Sequence, residues 1–285
     1  MNTDFLESFV QIAELGSIAE AARQLDLTPT AVALRIKALE DEVGTALLER
    51  AGRTVRLSPA GMKVLQQAKL ILHEVKNFSS LASNTELPAG PLSLGAVSSV
   101  LKGSLPSTLK KWVRQYSSID ILLEPGTSAV LYEKVARREL DAAILVHPLF
   151  DIPKSLAWHT LRTEQLVLLT PADMPAPDPL ELIRSQPYIR YDRRVVAGKM
   201  ADDYLRKQGL TPNARLETDG LDHIADLVEA GLGVAVIPLT SGLAQRSALA
   251  WHRLPEPLPP VRQIGLVWHR ANVREPLVRA LIKLL

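Results

Sequence analysis

Apolar positions in the first eighty residues recur at helical spacing, and the rhythm breaks at residues that start and stop helices. Phe5, Phe9 and Ile12 fall at i, i+4 and i+7, which predicts a helix over residues 3–15. Ile18, Ala21, Ala22 and Leu25 line one face of a second segment, and Val32, Ile36, Leu39 and Val43 line one face of a third. Ser17 followed three residues later by Glu20 is a capping-box pattern, in which side chains satisfy amides left unpaired at a helix start. Thr28-Pro29 repeats the signal with a hydroxyl cap and a proline at the first helical position, where its missing N–H costs nothing. Two helices thus begin at Ser17 and Thr28 with only a tight turn between them. The small Ala21 and Ala22 let the second cross closely over the first, as a DNA-binding helix-turn-helix requires, although an ordinary helical hairpin shares this pattern.

The flanks narrow the choice. Residues 50–61 read RAGRTVRLSPAG: Ala51-Gly52 can turn, Thr54 to Leu57 reads as a short strand, and the pair would form a wing. Arg50, Arg53 and Arg56 give it three positive charges with no intervening acid, suited to phosphates or a narrow minor groove. Ser58-Pro59 then starts another capped helix, expected to reach about residue 81. Along it Leu65, Ala68, Leu72, Val75, Ser79 and Ala82 alternate at spacings of three and four, with Val64, Ile71 and Phe78 as a flanking stripe. Such a seam asks for a partner helix, either a second copy or the helix's own domain. At 1.5 Å per residue about 24 residues span about 36 Å, enough to separate two reading heads by one DNA turn.

Residues 83–91 hold two prolines and a glycine among polar residues and read as a hinge. Beyond it, short strands at 92–97, 119–124, 142–146, 165–170, 188–191, 215–217 and 234–237 interleave with helical patterns near 100–115, 128–138, 199–207 and 221–230. This alternation predicts a mainly parallel sheet with helices on its faces.

At 285 residues with 47% hydrophobic content, the chain suits a small module plus a larger one. It has no run of roughly 18 apolar residues to span a membrane and no charged-and-apolar leader before the first helix, so a soluble cytoplasmic location is expected. The absence of Cys excludes disulfides, cysteine nucleophiles and thiolate zinc sites. Net charge does not argue for DNA: residues 1–58 carry six basic side chains against nine acidic ones. Distribution does, because residues 27–39 contain Arg35 and Lys37 and no acid.

Phe9, Gly16-Ser17, Ala21-Ala22, Leu25, Ala31-Val32, Ile36-Lys37, Leu39-Glu40, Gly44, Leu47, Arg50 and residues 57–61 fall where the LysR-type transcriptional regulators keep theirs. The chain resembles that family most specifically over its first sixty residues. Looser likeness follows at Gly90, Leu92, Leu94-Gly95, Leu105-Pro106, Gly126, residues 140–144, Gly231, Gly233 and Pro238, with Trp112 in place of the usual phenylalanine and Ser117 in place of proline. The resemblance implies an N-terminal, mainly α winged helix-turn-helix (1–58), a long dimerising linker helix (59–82), the hinge (83–91) and an α/β two-lobed effector domain (92–285) like the periplasmic binding proteins. Its lobes would be about 92–162 with 265–285, and 163–264, with a strand at 264–269 returning to the first lobe before a closing helix from Val273. Expected partners are operator or promoter double-stranded DNA, a small-molecule effector, a second copy through residues 59–82, a tetramer, and RNA polymerase if the protein activates. No membrane partner, metal or cofactor is expected.

The buried stripe of the reading helix leaves Pro29, Thr30, Ala33, Leu34 and Lys37 outward, with Ser17, Thr28, Arg35 and the wing arginines as further DNA contacts. The family often has Gln and Ser at the places of Pro29 and Ala33, and a polar or basic residue at that of Leu34. Contacts with thymine methyls should therefore carry more of the specificity here. In open parallel sheets ligands bind beyond the carboxyl ends of strands. That rule nominates Ser98, Ser99, Lys102, Thr127, Ser128 and His147 from the first lobe, with Tyr191, Arg193, Arg194 and Gly220 from the second. These donors would suit a small anion such as a carboxylate, unless Thr127 and Ser128 only cap a helix and the arginines are solvated surface.

Enzyme signals are weak. Gly231-x-Gly233 lacks a third glycine and follows a helix, and there is no phosphate loop, no Gly-x-Ser-x-Gly elbow and no His-Glu-x-x-His. Asp222, His223 and Asp226 read as an exposed polar face more readily than as a metal or catalytic cluster. The competing class is a small-molecule-binding protein or enzyme with a helical appendage.

Overall fold

Polar side chains start the first three helices of the computed structural model. Asn2 accepts the Asp4 amide at 2.9 Å and opens α1 (Thr3–Leu15). Ser17 accepts the Glu20 amide at 3.3 Å and opens α2 (Ile18–Gln24); Thr28 accepts the Ala31 amide at 3.2 Å and opens α3 (Pro29–Val43). Only half of the capping box forms, because the Glu20 carboxylate pairs with Arg23. Gly16 ends α1 and Gly44 ends α3 in the left-handed region, at φ 65° and 79°, which suits a residue without Cβ. The structure describes residues 1–51, 54–81, 87–88, 90–175, 178–257, 259 and 261–285, without the side chains of 50, 51, 76, 77 and 79–81. The expected hinge falls largely outside the described residues.

Phe9, Ile12, Ala21, Ala22, Val32 and Leu39 are buried together, so all three helices share one core. Val43, expected in the buried stripe, is instead exposed at the helix end. Strands β1 (Leu48–Ala51) and β2 (Thr54–Leu57) pair antiparallel as the wing, with Leu48 opposite Leu57. Glu40 ties the reading helix to the wing by accepting the Leu47 and Leu48 amides at 2.7 and 3.0 Å.

Helix α4 (Pro59–Leu81) starts where Ser58 accepts the Gly61 amide and donates to the Ala46 carbonyl, at 2.9 and 2.7 Å. A Cβ at Gly61 would stand 2.0 Å from the Leu47 carbonyl oxygen, so this approach requires glycine. The seam on α4 divides. Ala68 is buried, and Val64, Leu65, Ile71 and Leu72 pack on the N-terminal core. Val75 and Phe78 are exposed, the latter by 75%, while Ser79 and Ala82 lie outside the described side chains. The first half of the seam is therefore already covered by its own domain.

The chain divides into two compact units, Met1–Gly90 with Arg137–Glu139, and Pro91–Ala136 with Leu140–Leu285. The second unit opens with β3 (Leu92–Ala96), α5 (Ser98–Leu101), α6 (Leu105–Gln115), β4 (Ile121–Pro125), α7 (Ser128–Ala136) and β5 (Ala142–Val146). Next come β6 (Leu156–Glu164), β7 (Leu166–Pro171), α8 (Pro179–Ser185), β8 (Tyr188–Tyr191), α9 (Val196–Lys207) and β9 (Ala214–Thr218). It closes with α10 (Leu221–Glu229), β10 (Ala235–Pro238), α11 (Ser241–Ala244), β11 (Leu249–Arg253), β12 (Arg262–His269) and α12 (Glu275–Leu284).

A five-stranded sheet, β4-β3-β5-β12-β6, forms the first lobe; the second holds β10-β7-β11 and the pair β8-β9, joined by a bridge from Tyr188 to Val234. The sheets are mixed where a mainly parallel sheet was expected. Strand β12 runs antiparallel to β5 and β6, and β7 is antiparallel to both its neighbours. The sequence pattern missed β6 and β11: β6 is rich in polar residues and an edge strand with much of its length partly or fully exposed, and β11 is a short edge strand of five residues. The helix expected at 100–115 is two helices, since Gly103-Ser104 interrupts it before Pro106 in the first turn of α6.

Trp112 is fully buried in the first lobe and donates its indole N–H to the Ile119 carbonyl at 3.0 Å, so the larger ring is accommodated with its polar atom satisfied. Asp141, buried to 2%, accepts the Ser93 amide at 2.8 Å and the Asn272 amide group at 3.3 Å, linking β3, the entry to β5 and the approach to α12.

Candidate functional site

On α3, burial of Val32, Ile36 and Leu39 turns Pro29, Thr30, Ala33, Leu34 and Lys37 to solvent. Leu34 is 63% exposed, a large apolar side chain turned to solvent on this helix. Ser17 and Thr28 spend their hydroxyls on capping. Arg35 does not join the outward face: it reaches back to Asp4 and Ser8, each at 3.4 Å, because its position borders the buried stripe facing α1. Arg56 pairs with Glu49 across the wing at 3.3 Å and stays largely exposed, so its charge is available to displace that weak surface pair. Arg53 and the Arg50 side chain lie outside the described residues. The result is an outward helix face with an apolar centre and one cation, Lys37, beside a wing.

In the second unit a cavity of about 570 Å³ separates the two lobes. It brings together Ser98, Ser99, Lys102, Thr127, Ser128, Tyr191 and Gly220 of the expected effector contacts. It excludes His147 and Arg193. His147 turns its Nδ1 to the Pro148 carbonyl at 2.6 Å and stacks edge-on against Trp158. Arg193 is directed to Glu217, at 3.5 Å, outside the cleft.

The cleft also collects Arg194, which the 191–194 loop was expected to contribute, and five residues not expected as effector contacts: Asp192, Asp219, Asp222, His223 and Arg262. Arg262 is 2% exposed and donates to the Ser99 hydroxyl at 2.8 Å. Its guanidinium also stands 3.2 Å from the Glu164 carboxylate and near enough to the Tyr191 hydroxyl to favour its ionised form. Burial nevertheless raises the Tyr191 pKa, so the phenol stays protonated and can donate. Lys102 and Asp222 meet across the mouth at 2.8 Å, and that bond holds the ammonium above its ordinary pKa. Hydrogen bonds from Arg194, 2.6 Å away, hold the Asp192 carboxyl below its ordinary value.

Helices α7, α9 and α10 all start at the cleft. Neither Val195, before α9, nor Gly220, before α10, offers a side-chain cap, which leaves first-turn amides available to an acceptor. Thr127 accepts the Val130 amide at 3.4 Å, while Ser128 accepts the Val146 amide at 3.1 Å and so secures the end of β5. The pocket can therefore hold a small polar molecule with hydroxyls, amides and exchangeable ion pairs. The strand-end rule pointed to much of it; Arg262 carried no local signal, since β12 reaches the cleft only through the return crossover, and Asp222, read as an exposed polar face, lines the cleft beside Gly220.

The profile of the LysR substrate binding domain matches residues 85–285, and that of the bacterial regulatory helix-turn-helix protein, lysR family, matches residues 3–62. The HTH-type transcriptional regulator CzcR of Bacillus subtilis (strain 168) is 30% identical over 253 residues, covering 88% of this chain and 85% of the relative. SoxR of Arthrobacter sp. (strain TE1826) is 27% identical over 269 residues, covering 94% and 90%. Among solved structures, a full-length OxyR variant from Pseudomonas aeruginosa superposes with a TM-score of 0.74 at 23% identity, covering 100% of this chain and 94% of that one. CbnR in complex with its target DNA gives 0.68 at 18% identity, covering 100% and 98%. The two profiles account for nearly the whole chain, with the helix-turn-helix and the two-lobed unit in the order described above, and the chain belongs to the LysR family of transcriptional regulators.

Proposed function

We propose that this regulator reads operator DNA through the outward face of α3 and its wing, and that a small anionic molecule held between the lobes of its effector domain controls that binding. The observation that carries the DNA reading is the uncovered Thr30, Ala33, Leu34 and Lys37 on a helix whose other face is fully packed. Ala33 and Leu34 supply methyl contacts to thymine; Lys37 and the wing arginines supply phosphate contacts.

The anionic effector is supported by the uncapped starts of α9 and α10 and by the Ser99–Arg262–Tyr191 cluster at one cavity. An incoming carboxylate exchanges with Asp222 for Lys102 or with Asp192 for Arg194, so binding rearranges contacts between and within lobes. Coupling of about 1 to 3 kcal/mol between the two sites is sufficient for regulation.

Self-association through α4 fits the exposed Phe78, beyond the first half of the helix that packs on its own domain. Further exposed apolar side chains, Leu122 and Leu123 on edge strand β4 and Val113 on α6, are open to the additional contacts of a tetramer. The protein then acts in the cytoplasm, with RNA polymerase as a further partner if it activates.

Anisotropy of a labelled fragment of its own promoter, titrated with protein across salt concentrations, tests the DNA reading. Affinity falling steeply with salt is expected; salt-independent or absent retention would overturn it. Thermal-shift screening of metabolites tests the effector reading, and stabilisation only by neutral or cationic compounds would overturn it.

A further inference from the structure

Beside the polar cleft lies a second recess of about 350 Å³ with a different chemistry. Tyr132 of α7, Leu145, Pro148, Leu149, Phe150 and Val195 form its apolar wall. The Tyr132 and Phe150 rings meet edge-on at 5.3 Å, and Leu149 and Phe150 are 56% and 57% exposed. Large apolar side chains left bare around a concave space are unusual unless something covers them. The recess shares Ser128, Ala129, Val146, Arg194, Val195 and Val196 with the cleft, so the two adjoin along the facing starts of α7 and α9.

We propose that the effector is an amphipathic monocarboxylate whose head sits in the cleft and whose apolar tail, a short acyl chain or one ring, sits in this recess. The inference rests on the anionic-cleft reading above and adds the tail. Ser98, Ser99, Lys102, Thr127 and Arg262 line only the cleft, whereas Leu149 and Phe150 line only the recess. Arg193, Lys199 and Glu133 stand around its rim, where long side chains lay methylenes along an apolar occupant while their charges stay in water. The tail bridges α7 of the first lobe and the start of α9 in the second, so it fastens the lobes together as it buries apolar surface.

Calorimetry of the full-length protein with sodium acetate, butyrate, hexanoate and octanoate, and with sulfate as a head-only probe, tests this. Affinity is expected to rise about fourfold per buried methylene, and Leu149→Asp or Phe150→Asp, both at exposed positions, should flatten that rise without removing acetate or sulfate binding. Flat affinity along the series in the native chain, with acetate and sulfate still bound, overturns the tail and leaves the anionic cleft standing. An equal rise in the native and substituted chains overturns the location. Binding of no member, acetate and sulfate included, overturns both the tail and the anionic cleft. A change in oligomeric mass on Leu149→Asp without any change in carboxylate binding makes the recess a subunit contact and overturns the inference.

Discussion

Lys102 Nζ lies 2.8 Å from Asp222 Oδ2, and the two residues belong to different lobes of the effector domain. Lys102 follows α5 at the end of the first parallel strand; Asp222 sits in the first turn of α10. The bond spans the cleft mouth, and both side chains keep substantial contact with solvent, so it is a latch that a ligand can open.

Opening the latch should loosen the lobes without unfolding them. Lys102→Met and Asp222→Asn are each expected to speed amide exchange at the start of α10, and the double variant should do no more than either single change. Hydrogen-exchange mass spectrometry measures this; additive effects would show that the two residues act independently.

Arg262 and Glu164 face each other in register where β12 and β6 meet the crossovers between lobes. Their side chains are 2% and 4% exposed. Removing the guanidinium leaves a buried carboxylate that retains Arg162 at 2.9 Å. Arg262→Met should cost about 3 kcal/mol, and adding Glu164→Leu should recover much of it. Denaturant unfolding of the three proteins decides; a double variant as unstable as the single one would contradict this account.

Gly61→Ala should lower the stability of the N-terminal unit by about 2 to 4 kcal/mol, because its Cβ collides with backbone and not with a flexible side chain. Circular-dichroism melts of the full chain would report it, and an unchanged first transition would show that α4 can shift cheaply.

Leu34→Glu replaces a side chain that is 63% exposed, so the melting temperature should hold while operator affinity collapses. Arg56→Ala should instead weaken all sequences alike and reduce the salt slope by about one. Anisotropy with specific and scrambled duplexes separates these outcomes; loss of sequence preference on Arg56→Ala would assign that arginine to base reading.

Burial lowers the pKa of His252, which stands 3.1 Å from the Thr170 hydroxyl. Above about pH 6.5 the imidazole is neutral in both folded and unfolded chains and contributes nothing. As pH falls below that value the unfolded chain takes up a proton that the native state resists, so stability is lost. His252→Gln should therefore melt with a smaller drop between about pH 7.5 and pH 5.5; an identical drop would remove His252 from the acid response.

Local chemistry determined the N-terminal module. Caps at Ser17 and Thr28, glycine stops at Gly16 and Gly44, and the stripe of Val32, Ile36 and Leu39 act within a few residues of one another, so spacing alone located the helices and the outward face of α3. Eight of the ten residues nominated by strand ends line the cleft, because parallel strands deliver their ends to one side. Tertiary structure decided the rest. It turned Arg35 back to Asp4, covered half of the α4 seam, and made mixed sheets of strands whose polar edges hide their periodicity. It also carried Arg262 to a cleft that its own neighbours do not announce. Burial and pairing between residues more than a hundred positions apart depend on how the lobes close, and no local pattern encodes that distance.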